Sequence, residues 1–353
     1  MPSPKLSRRQ ILGGSGVVVL AGVAGALGVE LNARRHPAQP DSAPVAETSS
    51  PAAPGKAATY QYSRQSGPDR TVVTDSNGNQ VGVFTDGARS ALLTGPSRTW
   101  TEPRTTTAVI QSDAWVRLMP SAWSEGAETS AWFRSWFPKI LGSSDLDILG
   151  MAMQYEDKAP DLYDAQGVRY AGDASFGPVV PGQSEMSFHY HDEKSDFYDY
   201  LGTSWKFQDG VTMQPEKARY GDVDCSGYMR LVWGYRGGYP MHTSNTAGVG
   251  LPRRAFAIAS YAPGVLLIPD TKSRPTDIGL LQPGDLVFFA INIGKPIEID
   301  HCGMYLGPDT EGHPRFLSSR SQANGPTFGD LAGTGVLDGN GFYAAGLRVA
   351  RRL

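Results

Sequence analysis

The 353-residue chain is poor in two chemically versatile side chains, with two cysteines and six histidines. Two cysteines cannot build a disulfide framework, although a single Cys225–Cys302 bridge is formally possible in an oxidising compartment. An excess of one charge is also missing: 32 Lys and Arg stand against 35 Asp and Glu, for a net charge of −3. No broad basic surface is implied, so nucleic acid is excluded as the expected partner. The basic clusters are confined to the two ends, Arg8-Arg9 and Arg34-Arg35 near the start, and Arg348 with Arg351-Arg352 near the finish. The alternating pair His189 and His191 has no third imidazole nearby, and Glu193, Lys194 and Asp196 mark a solvated turn, so neither a metal nor another cofactor is expected.

What remains is an ordinary globular composition, 40% hydrophobic and 19% charged, with room for about two domains. Lys5, Arg8 and Arg9 precede an apolar, glycine-rich stretch from Ile11 to Val29, the layout of a targeting segment. Ser7-Arg8-Arg9-Gln10-Ile11-Leu12 resembles the twin-arginine export motif, and Ala24-Gly25-Ala26 offers a cleavage point. Residues 1–29 therefore read as a signal, or as a single membrane anchor if uncleaved. Either outcome puts the rest of the chain outside the cytoplasm, secreted or in the cell envelope. Residues 30–58, rich in Pro, Ala and Ser, read as a flexible tether.

Residues 59–165 read as a smaller, β-rich α+β accessory region. Asn77-Gly78 between Thr71–Thr74 and Gln80–Phe84 signals a hairpin. Ala91–Leu93 and Ala114–Met119 read as further strands, and Asp145–Tyr155 has helical spacing. The aromatic run Ser130–Phe137 suits core packing better than an exposed sugar-binding patch. The region holds neither Cys nor His and offers little for nucleophilic chemistry.

Chemistry concentrates at Asp224-Cys225-Ser226-Gly227. Asp224 reads as the N-cap of a buried helix running through Tyr228, Met229, Leu231, Val232 and Trp233 to Gly234 and Gly237-Gly238. Cys225 then lies in the first turn, where free N–H groups and the helix dipole favour a thiolate. Asp224 opposes that effect, so a histidine partner is required. In the strand predicted over Asp300–Leu306, Cys302, Met304 and Leu306 share one face and His301, Gly303 and Tyr305 the other. On this alternation Cys302 is a core residue remote from the thiol, and His301 is its partner. A thiolate–imidazolium couple keeps sulfur ionised and later protonates a leaving amine. The following strand, Arg315–Arg320, is expected beside His301, with Ser318 and Arg320 on one face and Gln322 and Asn324 in the loop beyond.

These stretches together resemble the NlpC/P60 family of papain-like cysteine peptidases. The resemblance rests on Asp-Cys-Ser-Gly at 224–227, on Leu281 to Phe289, and on His301 to Gly307, in the family's order and with 76 residues from thiol to imidazole. Leu201–Trp205 is similar to a substrate-lining segment and Leu347–Arg352 to the family's last strand. The resemblance covers residues 185–353, the expected catalytic domain, and the chain looks like actinobacterial wall-associated members with an N-terminal extension. It implies an α+β fold, a Cys-bearing helix on an antiparallel sheet, and an enzyme whose partner is peptidoglycan; separately, a monomer is expected. The implied activity is hydrolysis of stem peptides, typically at the D-γ-glutamyl–diaminopimelate bond. Cys225 would be the nucleophile, His301 the base and then the acid, and Ser318 the third member, with Asn324 or Gln322 as alternatives. Trp205, Asp224 and Ser226 would line the substrate. A wall-binding module without turnover and a papain-like amidase acting on another acyl substrate remain the competing readings.

Overall fold

The first regular structure is an antiparallel meander in the order β1 (Gln61–Gln65), β2 (Arg70–Thr74), β3 (Gln80–Thr85), β4 (Ser90–Thr101) and β5 (Val109–Leu118). The computed structural model describes residues 59–353 except 105–106, 186, 188, 293–297 and 332; the expected signal and tether lie outside the described residues. The β2–β3 turn is built as its sequence predicts. The Asp75 carboxylate accepts from the N–H groups of Asn77 and Asn79 at 2.8 and 2.9 Å, and Gly78 takes φ +83°, where a Cβ would be strained.

The aromatic run becomes a helix, α1 (Ala131–Ile140), whose cap Ser130 accepts from Phe133 N. Phe133 and Phe137, one turn apart, stack at 4.9 Å and pack on Phe84 and Trp123. The aromatics thus fill a core under the first sheet, with Trp132 and Trp136 packed at its margin. The expected second helix is shorter, α2 (Ile148–Met153), because Asp147 caps it by accepting from Gly150 N. Arg98 pairs bidentately with the same carboxylate at 2.6 and 3.0 Å, tying α2 to β4.

A two-strand ribbon of β6 (Leu162–Tyr163) and β7 (Arg169–Ala171) is followed by α3 (Phe197–Leu201), which carries an Asp196/Asp199 capping box. A second ribbon, β8 (Trp205–Lys206) with β9 (Thr212–Met213), leads to α4 (Cys225–Met229), which runs on as π-helix over Arg230–Arg236. The next helix is α5 (Ala255–Tyr261), with Arg254 at the N-cap position. The remaining strands, β10 (Val265–Ile268), β11 (Leu286–Phe289), β12 (His301–Pro308), β13 (Pro314–Arg320) and β14 (Gly325–Thr327), together with α6 (Phe342–Gly346) and β15 (Leu347–Arg352), complete the chain. Their sheet is antiparallel, in the order β10-β15-β11-β12-β13-β14. The fold is α+β, with a helix-on-sheet unit preceded by a β-rich region.

Period-two alternation decides what each face of that sheet covers. Leu286, Phe288, Cys302, Met304, Leu306 and Leu317 join one cluster with Tyr228, Met229, Leu231, Val232 and Trp233 of the Cys-bearing helix. Val287, Phe289, Tyr305, Phe316, Tyr343 and Leu347 form the opposite layer. Removing about 25 cal/mol of transfer free energy per Å² of apolar surface, such two-sided burial fixes the register of β12, since a one-residue slip would exchange His301 and Cys302 between layers.

Polar ties join the first sheet to this unit. Arg352 pairs with Asp285 at 2.8 and 2.7 Å and donates to Thr85 Oγ1 at 2.8 Å, and Thr327 donates to Glu102 at 2.7 Å. Near Glu102, the carboxyl of Glu156 is pushed from 4.5 up to about 8, first by burial and then by the Glu102 charge, with Arg104 opposing. The folded state therefore binds this proton more tightly than the unfolded chain, and stability is lost as pH rises between 4.5 and about 8. Glu156→Gln, which mimics the neutral acid, is expected to flatten that loss. Thermal midpoints of both proteins across this range check it; parallel declines would refute it.

Candidate active site

The site begins with the end of a helix. Asp224 Oδ1 accepts from Gly227 N at 2.7 Å, so the cap read from the sequence is present, and Cys225 occupies the first turn of α4. Arg253, from the segment entering α5, clamps the same carboxylate, with Nη2 at 2.6 Å from Oδ2 and Nη1 at 3.1 Å from Oδ1. Its Nη1 also donates to Ser226 Oγ at 2.8 Å, and Ser226 donates to Asp224 Oδ1 at 3.1 Å. Behind this pair, the fully buried Arg230 donates to Asp196 Oδ1 at 3.0 Å and to the carbonyls of His242 and Leu251. Opposed charges around Arg253 raise its affinity for its proton above the usual guanidinium range.

These contacts correct one expectation. Asp224 and Ser226 are only 1% and 2% exposed and are consumed by the cap and by Arg253, so they shape the helix start instead of lining a substrate. Trp205 is half-buried and packs edge-on against Phe197 at 5.3 Å and Tyr235 at 5.6 Å, within the aromatic cluster beside α3.

Cys225 is 8% exposed, and its Sγ lies 4.0 Å from the Asp300 carbonyl. Its thiol is held well below the ordinary thiol range. The largest cause is a hydrogen bond from Cys302, followed, against the cost of burial, by the charge and hydrogen bond of His301; Asp224 pulls the other way. Cys302 is pushed well up, by burial first and then by the neighbouring Cys225. The two shifts run in opposite directions, favouring charge on Cys225 with Cys302 as its donor. Both thiols are free.

The contact overturns the separation of the two cysteines expected from strand alternation. The alternation itself holds, with Cys302 in the layer that packs on the Cys-bearing helix. That helix lies on the Cys302 face, so the thiol meets Cys302 directly. His301 packs in the opposite layer, against Phe289 and Tyr343, and being the first residue of β12 it reaches the thiol past the strand end.

The third position is occupied differently from expectation. Ser318 is fully buried, and its Oγ accepts from Arg320 Nε at 3.0 Å. Asn324 turns away, its Oδ1 accepting from Phe176 N at 3.1 Å, and Gln322 is half-buried. Among the described residues, no oxygen is hydrogen-bonded to His301 Nε2. At the rim, Glu193 is open to solvent yet hemmed in by protein, and its carboxyl is pushed up to about 8 by burial and then by the Cys225 and Asp224 charges. Of the earlier histidine pair, His191 is buried with Nδ1 2.7 Å from the Ser321 carbonyl, while His189 is exposed. Among the described residues no group of three His, Cys, Asp or Glu is placed to hold a metal ion.

Sequence reasoning missed Arg253, Cys302 as a donor and Tyr343, and it placed Arg320 on the face of Ser318 without giving it a role. Arg253 had a local signal, a basic pair directly before a helix in a chain whose Cys225 helix has an acidic cap.

A thiol at a helix start beside an imidazole from the first residue of an antiparallel strand has the chemistry of a nucleophile and base couple. Residues 198–325 match the model of the NlpC/P60 family, and this stretch, which holds both Cys225 and His301, is an NlpC/P60 family domain. Two solved structures are similar. NlpC1 from Trichomonas vaginalis is 13% identical with a TM-score of 0.25, over 85% of this chain and 90% of that one. NlpC2 from the same organism is 14% identical with a TM-score of 0.25, over 85% and 94%. No curated protein matches the chain.

If Cys302 donates to the Cys225 thiolate, Cys302→Ala removes the largest stabilising contact. The pH midpoint for reaction of Cys225 with a dithiodipyridine reporter is then expected to move upward, with slower reaction at every pH below it. An unchanged midpoint would contradict the hydrogen bond.

Proposed function

We propose that the chain is an exported cysteine endopeptidase that hydrolyses peptidoglycan stem peptides, at the bond between D-γ-glutamyl and diaminopimelate. The observation that carries this reading is the depressed Cys225 thiol in contact with His301, inside an NlpC/P60 family domain. The family supports a cysteine peptidase or amidase acting on cell-wall peptidoglycan in general. The particular bond rests on the sequence resemblance.

In this reading the Cys225 thiolate attacks the amide carbonyl carbon, and the carbonyl π pair moves onto oxygen, where the Cys225 backbone N–H is the candidate donor. His301, carrying the thiol proton, gives it to the leaving nitrogen as the C–N bond breaks. Water then adds to the thioester with His301 as base, releasing the carboxylate and restoring the thiol. Residues 59–165 serve as an accessory region, residues 185–353 as the catalytic domain, and residues 1–58 as export signal and tether, placing the enzyme in the cell envelope or outside the cell. Among the described residues no helix is long and apolar enough to cross a membrane.

One observation favours a second reading. With Ser318 held by Arg320, a wall-binding module without turnover would retain the same family pattern. Digestion of purified muropeptides separates the two. The full chain is expected to release γ-D-glutamyl products, and Cys225→Ala to lower the rate by at least about a thousandfold, as for other nucleophile deletions. Equal product from both proteins, or none from wild type, would sink the peptidase reading.

A further inference from the structure

His301 has an orientation problem. An imidazole that works beside a thiolate is ordinarily held by an oxygen on its far nitrogen, because the ring otherwise swings about its χ2 bond. Here the Nε2 is buried without an oxygen partner among the described residues, and the serine expected to supply one is engaged elsewhere.

What surrounds the ring is aromatic. The His301 centroid lies 5.6 Å from Tyr343, tilted at 36°, and 5.9 Å from Phe289, tilted at 43°. Phe289 and Tyr343 also touch each other edge-on at 5.5 Å, and Phe316 closes the group at 4.7 and 5.0 Å from them. Behind Tyr343 stands a cation. The Arg320 guanidinium, 2% exposed, lies 4.5 Å over the Tyr343 ring and 4.9 Å over that of Phe316.

Arg320 is itself fixed, donating to Ser318 Oγ at 3.0 Å and to the carbonyls of Gly329 and Gly333 at 2.8 and 3.1 Å. The loop it grips runs close beside the same ring. A Cβ on Gly333 would meet Tyr343 Cε2 at 3.1 Å, and its φ of +108° admits little but glycine. The chain of contacts therefore runs from a buried guanidinium and a glycine loop, through Tyr343, to the imidazole.

We infer that Tyr343 and Phe289 are positioning residues that orient His301 by ring packing, with Arg320 buttressing Tyr343 and diverting Ser318 from the orienting role. The inference rests on the peptidase reading for its bearing on turnover. Its test does not need turnover.

The test is the rate and pH profile of Cys225 alkylation by iodoacetamide in the full chain, with the labelled residue assigned by mass spectrometry. Tyr343→Leu is expected to slow alkylation below the usual thiol range by about five- to tenfold, the size that one lost ring contact permits. Tyr343→Phe, which keeps the ring, is expected to restore the wild-type profile. Ser318→Ala removes one of the bonds that fix Arg320 but leaves those to the Gly329 and Gly333 carbonyls, and is expected to keep the profile far closer to wild type than to His301→Ala. The clamp is overturned if Ser318→Ala shifts the profile as far as His301→Ala does, or if a folded Tyr343→Leu protein matches wild type. Should Tyr343→Leu fail to fold, the Ser318→Ala profile and Phe289→Leu decide in its place. Muropeptide digestion, run in parallel, reports separately on the peptidase reading.

Discussion

The Asp224–Arg253 pair is the contact on which the site depends. Asp224 closes the first turn of α4, and Arg253 closes Asp224 with two hydrogen bonds. Neither charge could be buried alone; removing one partner of such a pair typically costs about 3–5 kcal/mol because the other is left uncompensated. The pairing also reconciles two opposed demands. An acidic cap is needed to start the helix at Cys225, yet a carboxylate beside a thiol disfavours the thiolate, and Arg253 offsets that carboxylate where it does the harm. Asp196 and Arg230 extend the device inward and hold α3 and the loop before α5 to the same helix start.

With the helix fixed, the sheet supplies the rest of the electrostatics. Burial pushes the Cys225 thiol toward its neutral form, and two neighbours on consecutive residues of β12 reverse this from different sides. Cys302 approaches from the layer under the helix and His301 from the layer beyond, so a strand only one residue out of register would lose both contacts. The opposite packing of Phe288 and Phe289 beside them makes that slip costly. The second layer, which packs Phe289 and Tyr343 against His301, is therefore part of how the imidazole is held.

Much of this is legible in sequence where the cause is local. The Asn77-Gly78 hairpin, the Asp224 cap and the alternation of β12 follow from backbone geometry, side-chain capping and period, and each stands where its residues predict. The aromatic run 130–137 gave no element type, because its spacing of Phe133 and Phe137 is helical while its composition suits a strand. What is not legible comes from distant segments meeting. Strand alternation shows which way Cys302 points, but not that the Cys225 helix lies on that side. Alternation places Arg320 on the face of Ser318 but does not show that its guanidinium takes the hydroxyl, and Tyr343 comes from a short helix with no motif of its own.

The central claim is that Cys225, and not Cys302, carries a thiolate sustained by its two neighbours on β12. Ultraviolet titration of thiolate absorbance in wild type and in Cys225→Ser tests it most directly. A single thiolate step well below the ordinary thiol range in wild type, absent from Cys225→Ser, is the predicted result. A step that survives in Cys225→Ser, or a wild type that ionises only in the ordinary range, would contradict the account.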